Sequence, residues 1–173
     1  MRGCEPCQGR KAAAIRLRFC VRWLFLRMIL SELQEILDRL VVECKQALSE
    51  EEVPVSCCLL LSDGTKIFTH NRVEKDNHPF HHAEFLALEE GMKQAASRYL
   101  KGATLIVSLE PCLLCMGAIL KAGIDTLYYV VSDEKLGALS HYHTFVDDRL
   151  KVVEIEDNRF QDILKDFFTN IRK

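Results

Sequence analysis

The chain has 173 residues, of which 49% are hydrophobic and 28% are charged, and its formal net charge is −2. This length suits one domain with a sizeable core, and the composition is that of an ordinary soluble globular protein. The eight cysteines do not indicate a disulfide framework, because Cys57 and Cys58 are adjacent in an apolar run and Cys44 lies in a helical pattern. Reduced thiols in a cytoplasmic protein fit this arrangement better.

The first 27 residues differ from the rest of the chain in charge. Residues 1–27 contain seven basic residues and one acidic residue, whereas residues 28–173 contain 16 basic and 24 acidic residues. Arginines interrupt every apolar run in the first segment, which excludes a membrane span and a secretory signal. Its Arg-rich character resembles a transit peptide, although it lacks Ser and Thr. We interpret residues 1–27 as a basic N-terminal extension, either disordered or upstream of a true start at Met28, and residues 28–173 as the functional domain.

This domain begins with a helix and a hairpin. Apolar residues recur at helical spacing from Ser31, a candidate N-cap, to residue 52. The turn dipeptide Asp63-Gly64 separates apolar strands at 55–61 and 66–70, which predicts a β-hairpin. The later predicted elements, in chain order, are a helix at 84–99, a strand at 103–109, a helix at 111–123, a strand at 125–132, a loop at 133–148, a strand at 150–155 and a helix from 159 capped by Asn158. This alternation predicts an α/β fold, a three-layer α/β/α sandwich around a mixed central sheet of about five strands.

Four residues at two predicted helix starts carry the chemistry. Cys112 and Cys115 follow a proline, and their spacing places the two thiols about 60° apart around a helix, so both can face one metal. The positive end of the helix favours the thiolate form, which binds metal. His82 and Glu84 stand two residues apart, about 200° around a helix, so they can share a site only beyond the N-terminal end of that helix.

Together these residues predict a catalytic zinc site. His82, Cys112 and Cys115 supply three ligands, and the fourth position stays open for water, as in catalytic rather than structural zinc sites. Zinc lowers the pKa of its water enough to provide hydroxide near neutral pH. Glu84 has no necessary place in the ligand set, so it is free to move protons between that water, a ring nitrogen and a leaving amine.

Three other interpretations of these residues stay open on the sequence alone. The two cysteines could form a redox couple at a strand-to-helix junction, which leaves His82 and Glu84 without a role. A purely structural zinc site needs a fourth ligand, for which His70, His78 and His81 are candidates. His81 could also replace His82 as the ligand, although Glu84 would then stand at a different spacing.

The pattern H-x-E followed by P-C-x-x-C is that of zinc-dependent nucleobase deaminases. Residues 30–173 resemble the tRNA-specific adenosine deaminases of the cytidine/deoxycytidylate deaminase superfamily, through HAEFLAL at 82–88 and SLEPCLLCMGAI at 108–119. Asn71 stands eleven residues before His82, where a family asparagine holds the target nucleoside. DEKLGA at 133–138 resembles a family loop near bound RNA, and the final helix, with Arg172-Lys173, resembles the RNA-contacting C-terminal helix.

The resemblance implies a cytidine deaminase-like fold, one Zn²⁺ per subunit, and a cytoplasmic homodimer without a membrane association. The implied reaction converts adenosine to inosine at the wobble position of a tRNA anticodon stem-loop, with the base flipped into the zinc pocket. Asn71, Asp133 and Lys135 are the implied substrate contacts. The backbone N–H of Ala83 is a further candidate contact, because a helix start leaves it without an intrahelical partner.

The charge of the domain keeps other functions open. Residues 28–173 carry more acidic than basic residues, whereas RNA binding needs local positive potential. The candidate basic face comprises Arg72, Lys75, Lys135, Arg149, Arg172 and Lys173. A deaminase of a free base, nucleoside or nucleotide of the cytosine or guanine type is the alternative enzyme. A zinc-stabilised scaffold without activity is the non-enzymatic alternative, against which the presence of Glu84 argues.

Overall fold

A computed structural model describes residues 30–142 and 149–171. The chain divides into two compact units, Met1–Leu37 and Asp38–Lys173. The described residues of the first unit, 30–37, are helical. In the second unit, helix α1 covers 38–49. The predicted extension at 1–27 and the basic tail Arg172-Lys173 lie outside the described residues. No described helix has both the length and the apolar character that a membrane span requires.

The second unit is built on a five-stranded mixed sheet, as the sequence predicts. Its strands are β1 (Ser56–Leu60), β2 (Lys66–His70), β3 (Thr104–Leu109), β4 (Thr126–Val131) and β5 (Lys151–Glu154). Their order across the sheet is β2-β1-β3-β4-β5. Strand β1 pairs antiparallel with β2 and β3, whereas β3–β4 and β4–β5 are parallel pairs. The hairpin turn uses Gly64 at a φ of +91°, a conformation that glycine adopts without steric cost.

Helices cover both faces of this sheet. Alternate residues of β1 point to opposite faces: Cys57 and Leu59 join a buried cluster that contains Ala87 of the second helix and Ile119 of the third. On the other face, the Ser56 hydroxyl donates a hydrogen bond to the Leu40 carbonyl oxygen of α1 at 2.9 Å. The fourth helix contacts β4. This arrangement confirms the three-layer α/β/α fold.

The second helix is shorter than its sequence pattern predicts. Helix α2 covers Ala83–Gln94, not 84–99, because Ala96 adopts a left-handed φ of +47°. The N–H of Ser97 then bonds the Met92 carbonyl, and the N–H of Ala96 bonds that of Lys93. These two bonds form a Schellman motif, which closes a helix without needing glycine. The apolar pattern continues past this point, so periodicity alone overestimated the helix.

The remaining helices begin one or two residues from their predicted positions. Helix α3 covers Leu113–Ala122 and ends at Gly123, whose φ is +75°, but it begins two residues after the predicted first position at Pro111. Helix α4 covers Asn158–Ile171, and Asn158 is therefore its first residue rather than its cap. The Asp157 carboxylate accepts the Arg159 N–H at 3.1 Å and so caps the helix.

Candidate active site

Two helix N-termini converge at the candidate metal site. His82 is the N-cap residue of α2 and Cys112 is that of α3, both in extended backbone conformation, and neither side chain makes a capping hydrogen bond. N-cap side chains usually bond the free N–H groups of the first turn. Here they turn to each other instead: His82 Nδ1 lies 3.8 Å from Cys112 Sγ and 3.4 Å from Cys115 Sγ.

This donor set fits a tetrahedral zinc ion. The ligand atoms of His82, Cys112 and Cys115 all lie within 4.8 Å of one another. Zinc bonds of ordinary length to nitrogen and sulfur at tetrahedral angles require nitrogen–sulfur separations of roughly 3.6 Å, which both observed separations approach. One imidazole and two thiols leave a fourth coordination position for water or substrate, as in catalytic zinc sites.

The electrostatics of the pair of cysteines favour metal binding. A hydrogen bond from the Cys115 thiol, together with the neighbouring His82, lowers the pKa of Cys112 to about 4. The hydrogen bond to Cys112 and burial raise the pKa of Cys115, and the same Cys112 thiolate raises the pKa of His82. Cys112 is therefore the more readily ionised of the two thiols, and metal binding must displace the proton of Cys115 and any proton that His82 carries on its ligating nitrogen.

Glu84 lies beside this donor set without belonging to it. Glu84 is 3% exposed, and burial raises the pKa of its carboxyl group. Burial favours the protonated form of a carboxyl group, so a buried glutamate of this kind is suited to holding and releasing a proton. The structure thus brings together the four residues that the sequence singled out for chemistry.

The other histidines lie in different contacts. His81 Nδ1 lies 2.7 Å from Asp76 Oδ2, and its ring stacks on that of His78 at 4.0 Å between centroids. His70 lies between Glu43 and Glu50. Within residues 30–142 and 149–171, only His82, Cys112 and Cys115 group as potential metal ligands, so no described residue completes a four-ligand structural site.

The backbone N–H of Ala83 is not free, contrary to the reasoning from its helix position. It donates a 2.9 Å hydrogen bond to Oδ1 of Asn71, whose side chain is buried. Asn71 therefore supplies the acceptor for the first N–H of α2. Because its oxygen is used in this way, the group that Asn71 can offer a ligand is its amide NH₂.

Asp133 and Lys135 lie in the loop that follows β4. Asp133 Oδ1 accepts the N–H groups of Lys135 and Leu136 at 2.9 and 3.1 Å, so this carboxylate organises the loop. Lys135 is exposed.

Two cations of the expected basic face are ion-paired: Arg72 with Asp76 at 2.8 Å and Lys75 with Glu50 at 2.9 Å.

Sequence reasoning gave no role to Glu110, which is 2% exposed. This residue stands directly before Pro111 and Cys112, at the end of the apolar strand β3. Its carboxylate accepts hydrogen bonds from the loop at 133–140. One signal for this role was present in the sequence: an acidic residue directly follows a run of buried strand residues. A carboxylate buried in this way needs several hydrogen-bond donors.

The geometry agrees with comparisons to known proteins. The family model of the cytidine and deoxycytidylate deaminase zinc-binding region matches residues 30–131. A tRNA-specific adenosine deaminase of Aquifex aeolicus is 30% identical over 135 residues, which are 75% of this chain and 89% of that protein.

Two solved structures share the fold. A tRNA:A34 deaminase, studied for A-to-I editing at the wobble position of transfer RNA, superposes with a TM-score of 0.69 at 29% identity, covering 76% of this chain and 99% of that one. A guanine deaminase of Nitrosomonas europaea superposes with a TM-score of 0.65 at 17% identity, covering 76% and 82%. The chain therefore belongs to the cytidine and deoxycytidylate deaminase family of zinc-dependent hydrolases, within which it is similar to tRNA-specific adenosine deaminases.

Proposed function

We propose that this protein hydrolyses adenosine to inosine at the wobble position of a tRNA anticodon. One observation carries the proposal: the complete set His82, Glu84, Cys112 and Cys115 converges at two helix N-termini, in a chain that is 30% identical to a tRNA-specific adenosine deaminase over most of its length. The same set supports a catalytic site rather than a scaffold, since a structural role does not require Glu84.

Glu84 is the proposed proton shuttle. Bound zinc would lower the pKa of a coordinated water towards neutrality. The Glu84 carboxylate accepts a proton from the attacking water and delivers it to a ring nitrogen of the purine, as the water oxygen bonds the carbon that carries the amine. It then transfers the proton of the resulting hydroxyl group to the amine, and the carbon–nitrogen bond breaks to release ammonia and leave a carbonyl group. The raised pKa of this buried carboxyl group suits a residue that must both accept and donate.

The proposed substrate contacts come from two sides of the metal site. The NH₂ group of Asn71 is a candidate donor to the target nucleoside, because Ala83 holds the amide oxygen and so fixes the amide orientation. Lys135, on the loop after β4, is a candidate phosphate contact. Asp133 shapes that loop, because its Oδ1 accepts two backbone N–H groups, and it remains a candidate substrate contact. Ala83 takes an indirect part through Asn71.

A homodimer and a cytoplasmic location belong to the same proposal. Phe80, Leu113 and Leu114, which lie within two residues of a metal ligand in sequence, are 51%, 44% and 45% exposed. A contiguous patch of large exposed apolar side chains is typical of interaction surfaces, and we propose that these residues contribute to one. Light scattering with size-exclusion chromatography should give twice the mass of the chain, and Leu113→Glu should shift that mass to the monomer.

The decisive experiment uses the full chain loaded with zinc and an anticodon stem-loop with adenosine at the wobble position. Replacing the amine by a carbonyl adds about one mass unit, which mass spectrometry of digested RNA assigns to one nucleotide. The matched control stem-loop carries guanosine at the wobble position. A mass gain confined to the wobble adenosine supports the proposal.

A deaminase of a free base or nucleoside is the second candidate. It is favoured by one observation, that ion pairs neutralise Arg72 and Lys75, which reduces the positive potential available to RNA. Free adenosine, cytidine and guanine are therefore included as substrates in the same assay. Turnover of one of these, with an unchanged stem-loop, assigns the second function and overturns the first.

A further inference from the structure

Glu110 lies at the centre of a buried hydrogen-bond network. Its Oε1 accepts the N–H groups of Leu139 and Ser140 at 2.7 and 2.8 Å. Its Oε2 accepts the Asp133 N–H at 3.0 Å and the Ser140 hydroxyl at 2.5 Å. Each oxygen thus receives two hydrogen bonds, all from residues 133–140, and these bonds offset the cost of burying the charge.

The network ties this loop to the segment that holds a metal ligand. The Ala138 N–H donates to the Pro111 carbonyl at 2.9 Å, and Cys112 and Gly137 form an isolated β-bridge. Contact is so close at Gly137 that a Cβ atom there would lie 2.5 Å from Glu110 Cδ. The loop at 133–140 therefore lies directly against the strand-to-helix junction at 110–112.

We propose that Glu110 is a positioning residue, which fixes the loop at 133–140 beside the metal site so that Lys135 faces the RNA. The inference rests on the proposed function, because the task of this loop is to bind the substrate. Glu110 itself contacts neither the metal nor the substrate. Its four hydrogen bonds hold the loop in one conformation before the substrate binds. Less conformational entropy is then lost on binding, which increases affinity.

A role confined to stability predicts something different. If Glu110 only contributed to folding, its replacement would lower the melting temperature and leave the Michaelis constant of the folded enzyme unchanged. A positioning role predicts a raised KM for the stem-loop and faster amide exchange at 133–140, while zinc content and kcat change little. The KM-to-kcat comparison and the exchange pattern therefore separate the two roles.

The test compares Glu110→Gln with Glu134→Gln in the full zinc-loaded chain. Glutamine retains the size of Glu110 but directs an NH₂ group at hydrogen-bond donors, whereas Glu134 is exposed in the same loop and its replacement causes the same change of charge. Hydrogen–deuterium exchange is measured on both variants, together with zinc content and stem-loop kinetics. Ser140→Ala, which removes one donor to Glu110, is a milder variant should Glu110→Gln fail to fold.

Glu110→Gln is expected to expose the amides of Asp133, Leu139 and Ser140 to exchange and to raise KM about tenfold or more. Glu134→Gln should do neither, and Ser140→Ala should change both quantities in the same direction by less. Unchanged exchange at 133–140 overturns the proposal, as does an unchanged KM or a loss of zinc. If the wild-type enzyme does not deaminate the stem-loop, the proposed function fails, while the exchange data still test whether Glu110 holds the loop.

Discussion

The backbone N–H of Ala83 donates a 2.9 Å hydrogen bond to the side-chain oxygen of Asn71. Ala83 is the first residue of α2 and directly follows His82, the N-cap residue, whose side chain makes no capping hydrogen bond. The imidazole is thereby available to the metal, and the first helical N–H still has a partner, as buried backbone donors require. One asparagine thus supports both the helix start and the ligand geometry.

Asn71→Ala and Asn71→Asp should separate the role of this residue in stabilising the start of α2 from its role in binding the substrate. Alanine leaves the Ala83 N–H without its acceptor, which costs about 1–2 kcal/mol of unfolding free energy. Aspartate retains an acceptor at a helix N-terminus and should cost less, but it removes the NH₂ donor and adds a negative charge. Urea unfolding measures the first effect, and KM for the stem-loop measures the second, which we expect to rise in both variants. Equal losses of stability in the two variants would contradict the capping role.

Glu84→Gln should abolish turnover and retain zinc. The amide retains the size of the carboxyl group but cannot shuttle a proton, so kcat should fall by roughly 10²–10⁴-fold. Glu89→Gln is the matched control, because Glu89 lies on the exposed surface of the same helix and is paired with Lys93. Steady-state kinetics and metal analysis of both variants provide the measurement. Turnover that survives in Glu84→Gln would exclude this residue as the proton shuttle.

The fold was largely predictable because its elements follow local rules. Turn chemistry at Asp63-Gly64 and strand patterning at 103–109 specify the hairpin and the central strand. His82 and the two cysteines stand at the starts of two helices, where the direction of the chain and the backbone geometry limit the positions that a side chain can occupy. The spacing of Cys112 and Cys115 predicted that both thiols face one point, although Cys112 proves to be the N-cap of α3 rather than a residue within the helix.

The features that sequence reasoning missed depend on partners distant in the chain. Glu110 receives its donors from residues 133–140, and no local pattern indicates which N–H groups will surround a buried carboxylate. The partner of the Ala83 N–H is likewise supplied by a different element. The predicted end of α2 was wrong for another reason. Ala96 adopts a left-handed conformation, which glycine usually supplies at the end of a helix, so no glycine in the sequence marked this end.

His82→Asn and His81→Asn test which neighbouring histidine is the ligand. Of these two histidines, His82 has its Nδ1 near both sulfurs, whereas His81 is hydrogen-bonded to Asp76. We expect His82→Asn to lose bound zinc and His81→Asn to retain about one zinc per chain. Metal analysis after exhaustive dialysis gives the stoichiometry. The reverse pattern would assign the metal to His81.

Acid should destabilise the protein through two surface carboxylates. Lys75 lowers the pKa of Glu50 from 4.5 to about 2, and Arg72 lowers the pKa of Asp76 from 3.8 to about 2. A carboxyl group whose pKa is lower in the folded state stabilises the protein above its unfolded pKa and loses that contribution as the pH falls towards the folded pKa. The free energy of unfolding should therefore decrease between about pH 4.5 and pH 2.

Glu50→Gln isolates one part of this acid dependence. The variant lacks one of the two groups, so its unfolding free energy should fall less steeply than that of the wild type over the same range. Both proteins retain the zinc ligands, so acid release of metal affects them equally. Urea titrations at several pH values give the two slopes, and parallel slopes would show that Glu50 does not contribute.

Gly137→Ala should destabilise the protein, and Gly117→Ala should not. A Cβ atom at position 137 would lie 2.5 Å from the Asp133 carbonyl oxygen and 2.5 Å from Glu110 Oε1, whereas at position 117 no such atom lies within 4 Å. Overpacking of this kind costs about 1–3 kcal/mol. Gly117 lies within α3, where alanine is favoured over glycine by about 1 kcal/mol. Thermal unfolding should therefore show a lower melting temperature for Gly137→Ala and an equal or higher one for Gly117→Ala. A Gly137→Ala variant as stable as the wild type would mean that the loop can move away from Glu110, and the close contact would then not be required for folding.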